Sequence, residues 1–596
     1  MRSRPLSLAA VLLPLLPLLT TLACTGTAPY GDASVDDAAA PVDTANAGDA
    51  GNADVPLAPL PDAGFDLSIE AEFPPPPRAL PLPPGSPKPQ RLLSGPSDQL
   101  SGDAISSCSH QDPPSGAGDR WCSFYRPGAD GVGTELWVIN LTKAAAGIAV
   151  PCDGSSPHCV RLTKTLWTNF AFNGPTHPFS HKFDGDTLIY YADAVPPSKE
   201  LYRGPVYAWR PDWPAPRQLT SGQGVWCFGH RSRALAHCLD NIVGDIKKPE
   251  SFELRAGKLE PASTEPLPSL GRIRPLRADG RPAWQASFTP DGNHFVFSDL
   301  TPDPAVETLR IVATAELGQT APRVLRDHVS HWAIANDNQR LYFLRATGQV
   351  QGQDEHDVFA TDLLDMAAEV KLGARALNYR ILGDGRNDLG IAFLSNLGGN
   401  QRAFQIAPDS KNPATLQTIF KYTGLLEGFD IAADHRFTVW LDGGFIGRVV
   451  RHADLGVCKL NTRANASIYV PTFLAKGNLV FFSQDGLEEL GDRDGLYARS
   501  DDCSDVQRFG EKIDHYHPVG DRGLVYGDER TPAGAVMLKY ASAVNEGGRW
   551  RLDTPRVIHD AVEAGVYYVL GGVPTYIHFR PHGPTAETWV YGPIAF

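Results

Sequence analysis

The chain has 596 residues, among them 57 glycines and 51 prolines, and carries a net charge of −14. Glycine and proline make about 18% of it against a usual ~12%, and long runs of 3.6-residue apolar periodicity are missing, which disfavours several α/β domains. The acidic balance counts against a nucleic-acid binder, which needs a basic face. Beyond the N-terminus no segment offers 18 uninterrupted apolar residues for a spanning helix.

The chain opens on an address. Arg2 and Arg4 precede a short apolar stretch, Leu6 to Leu19, broken by Pro14 and Pro17. Such a stretch is too short for a mature transmembrane helix and reads as a signal peptide over residues 1–23. Thr21-Leu22-Ala23-Cys24 follows, and a small residue before a cysteine at this place resembles the lipobox of bacterial lipoproteins. The resemblance implies that Cys24 becomes the first residue and carries acyl chains, so that the membrane is reached through lipid only. A plain secretory signal with Cys24 as a free thiol is the alternative. The implied location is the bacterial cell envelope. Thr25, rather than Asp, resembles lipoproteins sorted to the outer membrane; which leaflet they face stays open.

Residues 24–90 read as a disordered tether behind the acylated cysteine. Thr25 to Pro77 holds ten acidic residues and no Lys or Arg, and ends in Pro74-Pro75-Pro76-Pro77. Uniform charge, proline and few aromatics bury too little surface to offset chain entropy. Stretched out, the segment reaches at most ~200 Å.

From residue 91 to 596 one motif recurs. Its fullest copy is Trp284-Gln285-Ala286-Ser287-Phe288-Thr289-Pro290-Asp291-Gly292-Asn293-His294-Phe295-Val296-Phe297: a strand, a Pro-Asp-Gly turn and a second strand. Weaker copies put the first apolar residue of the second strand at 188, 341, 391, 437, 479 and 524, with a poorer one at Leu235. From 295 onward the steps are 46, 50, 46, 42 and 45 residues. A third strand follows each hairpin, as in Glu135-Leu136-Trp137-Val138, Asp357-Val358-Phe359-Ala360 and Gly495-Leu496-Tyr497-Ala498. Four short strands in about 46 residues make a propeller blade. A linear β-solenoid is the alternative, with rungs usually shorter than this. The expected fold class is therefore all-β: a single large β-propeller of four-stranded blades, seven to ten in number.

The Phe288-Thr289-Pro290-Asp291-Gly292 turn with its flanks, and the Leu-Tyr pair of the third strand, resemble the repeat of TolB-type, WD40-like β-propellers. The resemblance spans residues 91 to 596, although only the unit at Trp284 carries the full motif. Prolyl-oligopeptidase-like enzymes set a similar propeller beside a hydrolase domain; here the blade units run on to Phe596 and leave no room for one.

Setting Cys24 aside leaves eight cysteines, an even number in an exported chain. Sequential pairing, Cys108–Cys122, Cys152–Cys159, Cys227–Cys238 and Cys458–Cys503, keeps each bridge within or beside one unit. Eight cysteines allow 105 connectivities, and free buried thiols are the other reading. Zinc is disfavoured by the absence of any C-x-x-C pair.

No metalloprotease, nucleophile-elbow or phosphate-loop string occurs, and no catalytic residue, metal or cofactor is expected. Asp492-Arg493-Asp494-Gly495 has some character of a calcium loop but lacks a glutamate at the twelfth position. In a propeller the innermost strand faces the axis, and here that strand precedes the turn. His177, Trp284, His331, Tyr379, Tyr469, His515, His517 and Tyr567 fall near it and are the candidate ligand-binding channel, unless they pack between blades. The Cys152–Cys159 bridge and a long loop from Gln351 to His356 should decorate one face. The reading that follows is a monomeric, tethered module binding an envelope protein or glycan, with no nucleic-acid partner. A glycan-active lyase or hydrolase using channel histidines and carboxylates is the alternative.

Overall fold

The computed structural model describes residues 77–95, 105–109, 118–127, 134–164, 181–192, 205–220, 226–230, 232–245, 248–261, 263, 265–274, 285–300, 307–350, 353–364, 368–383, 388–398, 401–423, 426–432, 436–442, 447–452, 457–459, 472–474, 479–484, 495–500, 506–510, 513, 515–520, 522–570, 575–583 and 586–594. Cys24, His177, Trp284, Tyr469, Asp492 to Asp494 and Cys503 lie outside these residues, as does the side chain of Cys458.

Strands dominate throughout. Among the described residues the one α-helix is Leu141–Ala145, capped by Asn140, whose side chain accepts from the Lys143 N–H at 3.1 Å. Six sheets have four antiparallel strands in simple sequence order. The first holds Ile105–Cys108, Trp121–Pro127, Thr134–Asn140 and Cys159–Thr163; the second His181–Asp184, Thr187–Tyr191, Val206–Trp209 and Arg217–Gln218. The third holds Trp226–Gly229, Leu235–Asp245, Lys248–Lys258 and Ser269–Ile273; the fourth Ala286–Phe288, His294–Leu300, Glu307–Ala313 and Arg323–Asp327. Leu426–Ile431 opens another such sheet and Thr472–Leu474 the last of them.

The two larger sheets are the same unit taken twice. One runs through His331–Ile334, Arg340–Val350, Gln353–Asp362, Glu369–Gly383, Asp388–Gly398, Gln401–Ala407 and Gln417–Thr423. Its long middle strand is the fourth strand of one unit at Glu369–Gly373 and the first strand of the next at Asn378–Ile381. The other contains Tyr516–Pro518, Gly523–Asp528, Ala535–Glu546, the shared strand Arg556–Leu570, Tyr576–Pro581 and Ala586–Tyr591. Counted this way the described residues form ten four-stranded units. In both shared strands a left-handed residue, Arg375 (φ 55°) or Gly565 (φ 71°), stands where pairing passes from one neighbour to the next.

The fourth strand of the tenth unit comes from the other end of the chain. Gln90–Gly95 pairs antiparallel with Ala586–Tyr591, Gln90 opposite Val590 and Gly95 opposite Ala586. Leu80–Pro81 adds a parallel contact to Arg556 and Val557. Ladder pairing therefore begins inside the stretch whose composition reads as tether.

Alternation along each second strand explains the packing, because successive side chains point to opposite faces. Leu188 and Tyr190 pack on Leu136 and Val138 of the first unit, while Ile189 and Tyr191 pack on Ala236 and Cys238 of the third. Tyr342 and Leu344 meet Ile391 and Phe393, whereas Leu341 and Phe343 meet Leu309 and Ile311. Phe288, Phe295 and Phe297 join Leu239 and Phe252, Phe404 and Ile419 join Val450, and Leu496 joins Tyr526. Val525 and Val536 then pack on Ile577 and Phe579. Leu92, Tyr576 and Val590 of the tenth unit pack on Phe124 and Trp137 of the first. Burial on both faces is why these strands read as continuous apolar runs.

The turns lock neighbouring units together. In the Thr289-Pro290-Asp291-Gly292 turn, Asp291 accepts from the Thr289 hydroxyl at 2.6 Å and the Asn293 N–H at 3.0 Å. Its own N–H donates to Asn338 Oδ1 of the next unit's turn at 2.7 Å. Gly292 has φ +72°, and a Cβ there would meet Leu235 Cδ1 at 2.8 Å. Asp184 takes the Gly229 N–H of the unit after it at 2.9 Å.

Three of the expected disulfides are present: Cys108–Cys122, Cys152–Cys159 and Cys227–Cys238. The first and third join residues directly opposite each other on the first and second strands of their units.

Candidate functional site

The up-and-down order of strands puts the first-to-second turns at one end of the units and the second-to-third hairpins at the other. Three of those hairpins are long: Leu235–Asp245 with Lys248–Lys258, Arg340–Val350 with Gln353–Asp362, and Asp388–Gly398 with Gln401–Ala407. The span from Gln351 to His356, expected as a loop, is therefore largely strand: Gln353 pairs with Val350 and His356 with Ala346. Cross-strand pairing holds it in a ladder, with Gln349 donating to Asp354 at 2.7 Å.

His331 begins the first strand of the fifth unit at this same end, paired with Leu344. Its ring lies 5.6 Å from that of His356, edge to face. Beside them, at the root of the hairpins, is a polar cluster. Glu355, His356, Ser395, Asn396 and Arg402 are all buried. The Glu355 carboxylate accepts from Arg375 Nε at 3.2 Å and from Asn396 Nδ2. Asn396 Oδ1 in turn accepts from Arg402 at 2.6 Å and from the Gly398 N–H at 3.1 Å. Burying Glu355, Ser395, Asn396 and Arg402 is tolerable because each finds a hydrogen-bond partner. The cluster fixes the two hairpins against each other, and Arg375 is its solvent-facing member. Glu355, Asn396 and Arg402 escaped the sequence reading. The one available signal was the break from apolar Ile391 to Leu394 into Ser395-Asn396 within a strand.

Two other candidates belong to packing and not to a channel wall. Tyr379 lies among Tyr342, Phe393 and Ala407 in the core between the fifth and sixth units. Tyr567 is fully buried; its hydroxyl accepts from the N–H groups of His515 (2.8 Å) and Gly527 (2.9 Å) and donates to the His515 carbonyl at 2.6 Å. It pins the start of the first strand and the end of the second strand of the ninth unit to the first strand of the tenth.

His515 is exposed, and His517 sits between two tyrosines, its ring 5.7 Å from both Tyr567 and Tyr568. Burial, followed by the neighbouring His515, pushes the His517 imidazole down to about 4. Tyr568 stacks on His578 at 6.2 Å. His578 is 1% exposed, and burial, helped by the Arg580 charge, takes it down to about 3. Both rings are therefore neutral at pH 7, as is buried His237, at about 3, against Phe228 and Phe295.

A cleft of about 580 Å³ opens between the fourth and fifth units. Its charges are mutually engaged: Arg345 grips Glu369 with two hydrogen bonds of 2.7 and 2.8 Å while lying over Phe343 and Phe359. Arg326 reaches the same carboxylate at 3.1 Å. Among the described residues no group of three or more His, Cys, Asp or Glu is placed to hold a metal ion, and no helix is long and apolar enough to cross a membrane.

No protein-family model and no curated protein matches the chain. Among solved structures it is similar to an uncharacterized protein from Listeria monocytogenes EGD-e, with 9% identity and a TM-score of 0.29. That match covers 54% of this chain and 90% of that one. It is also similar to the β-propeller domain of the Trilobed protease from Pyrococcus furiosus, with 10% identity and a TM-score of 0.27 over 56% of this chain and 94% of that one. Likeness at this level transfers no activity.

Proposed function

We propose that the chain is a binding module of the bacterial cell envelope: a ten-bladed β-propeller, held to a membrane by lipid on Cys24 and spaced from it by the acidic, proline-rich segment. A ring is supported by the succession of apolar interfaces, in which the tenth unit packs on the first, and by the N-terminal strand that completes the tenth sheet. The partner, an envelope protein or glycan, is taken at the end that carries the long hairpins. One observation bears most of this reading. The buried polar groups at that end brace the hairpins and one another, as Glu355, Asn396 and Arg402 do, which suits a rigid recognition surface better than a reacting centre.

The test uses the full-length chain in its native membrane, with a photo-crosslinking residue at one position at a time. Gln349 and Gln401 are exposed at the hairpin end, and Glu316 is exposed at the opposite end. A discrete adduct from Gln349 and Gln401 but not from Glu316, together with release of the protein from membranes by Cys24→Ser, is the expected result. Adducts of equal yield at all three positions, or none at the hairpins, would refute recognition at this end.

A further inference from the structure

We propose that the packing of the tenth unit against its two neighbours is an acid-operated latch, which opens on mild acidification and frees the N-terminal strand while the other units stay folded. Two histidines occupy the seam between the ninth and tenth units, and a third lies on the opposite face of the tenth, towards the first. His517 stands on the first strand of the ninth unit against Tyr567 and Tyr568 of the tenth. His559, on the fourth strand of the ninth unit, packs 5.3 Å from Phe579 and 6.0 Å from Trp589 of the tenth. His578 stacks on Tyr568 and, opposite Val590, shares the face that the tenth unit turns to the first.

At each of them burial is the largest influence and favours the neutral ring. Among the described residues neither ring nitrogen of His578 meets a hydrogen-bond partner, so a proton there would be a buried charge with no acceptor. The neighbouring charge, Arg580, has the same sign and is already engaged with Glu563 at 3.1 Å. His559 Nδ1 accepts the Ala561 N–H at 3.2 Å, which protonation would abolish; Asp560 beside it works in the opposite direction, favouring the charge. His517 faces the tyrosine rings and the imidazole of His515, with no carboxylate among the groups that act on it; a hydrogen bond with the Tyr567 backbone works the other way, and burial outweighs it. At the outer margin of the seam Glu587 is occupied by Trp589 at 2.9 Å and by Arg91 at 3.4 Å.

The closed latch thus binds fewer protons than the open one, whose histidines titrate near the ordinary 6.5. It is fully favoured above that value and loses stability as pH falls towards the folded values of about 4 for His517 and 3 for His578. At pH 5 each of these two disfavours closure about thirtyfold relative to pH 7.5, together about a thousandfold. The tenth unit is the segment most exposed to this, because its outermost strand, Gln90–Gly95, is tied to it by one ladder and by Leu92 and Leu93 in its core.

Backbone hydrogen exchange of the full chain at pH 7.5 and 5.0, corrected for the intrinsic rate, reads the latch directly. Peptides covering residues 90–95 and 575–581 should lose about a thousandfold in protection, while those covering 294–300 and 340–344 keep theirs. His517→Gln/His578→Phe should remove the pH response. His517→Gln alone, at the less buried position, should reduce it about thirtyfold and serves if the double variant does not fold. Uniform loss of protection across all units, no loss at pH 5, or an undiminished response in either variant would overturn the proposal. It rests on the packing of the tenth unit against its neighbours and stands or falls separately from partner binding.

Discussion

Lys539 is among the few lysines to lose nearly all contact with water: its side chain is 5% exposed, and that of its partner Asp528 is 6% exposed. Its ammonium lies 3.0 Å from Asp528 Oδ2 and 2.7 Å from Glu529 Oε1. The two contacts are unequal. Glu529 is 60% exposed, so its share is that of a surface pair, about 0–1 kcal/mol. Asp528 cannot turn to solvent, and truncating its partner leaves a buried carboxylate uncompensated. Lys539→Met should therefore destabilise by about 3–5 kcal/mol, the range for breaking one side of a buried pair. Asp528→Asn on that background removes the orphaned charge and should restore more than half of the loss. Glu529→Gln alone should cost under ~1 kcal/mol. The assay is equilibrium urea unfolding of the three variants and the parent, followed by tryptophan fluorescence at pH 7. A cost below ~1 kcal/mol for Lys539→Met, or no recovery in the double variant, would show that water reaches the pair and that its burial has been misjudged.

Gly292→Ala places a Cβ on a residue at φ +72° and 2.8 Å from Leu235 Cδ1, so thermal unfolding should show a loss of about 1–3 kcal/mol. Cys227→Ser/Cys238→Ser opens a loop of 11 residues and should cost about 2–3 kcal/mol under oxidising conditions, with no difference from the parent once both are reduced. Glu355→Leu deprives buried Asn396 of its acceptor and Arg375 of its partner. Proteolysis at the Arg340–Asp362 hairpin should accelerate about tenfold or more for a loss of ~1.4 kcal/mol or above, while cleavage in the first four units stays unchanged. Peptide mapping without reduction should recover Cys458 and Cys503 in one linked fragment; separate alkylated peptides would refute the sequential pairing there.

The strand pattern was legible because it is written twice. Asp-Gly, Pro-Asp-Gly and Asn-Asp-Asn place the turns, and the apolar residues after them place the second strands, so Leu188, Phe295, Leu341 and Ile391 all fall on strands buried on both faces. The three described disulfides were equally readable, since each joins cysteines close in sequence. What the pattern hid were events between units. Glu369–Gly383 and Arg556–Leu570 each serve two units, because a single left-handed residue, Arg375 or Gly565, and not a run of turn residues, separates the fourth strand from the next first strand. The polar candidates were harder still. Period-2 alternation gives a side chain's face but not what stands opposite it, so Tyr379 and Tyr567 were indistinguishable from ligand-facing aromatics until Phe393 and Gly527 were beside them. His578 and Glu355 sit within strands where nothing local marks a buried polar group.

The strand Gln90–Gly95 has a consequence for the order in which the molecule comes into being. It is made early and finds its partner last: Arg91 and Glu587, which it brings together, are 496 residues apart. At a synthesis rate of about 5–20 residues per second the strand waits roughly 25–100 seconds with its backbone groups unpaired. During that time Leu92 and Leu93 have no core to enter. The growing chain thus needs something to shield this strand, and a ribosome that stops short of Ala586 leaves it permanently without a place. The last sheet is in effect a check that translation has run through, and a defect near the C-terminus should be felt first at the N-terminal strand Gln90–Gly95.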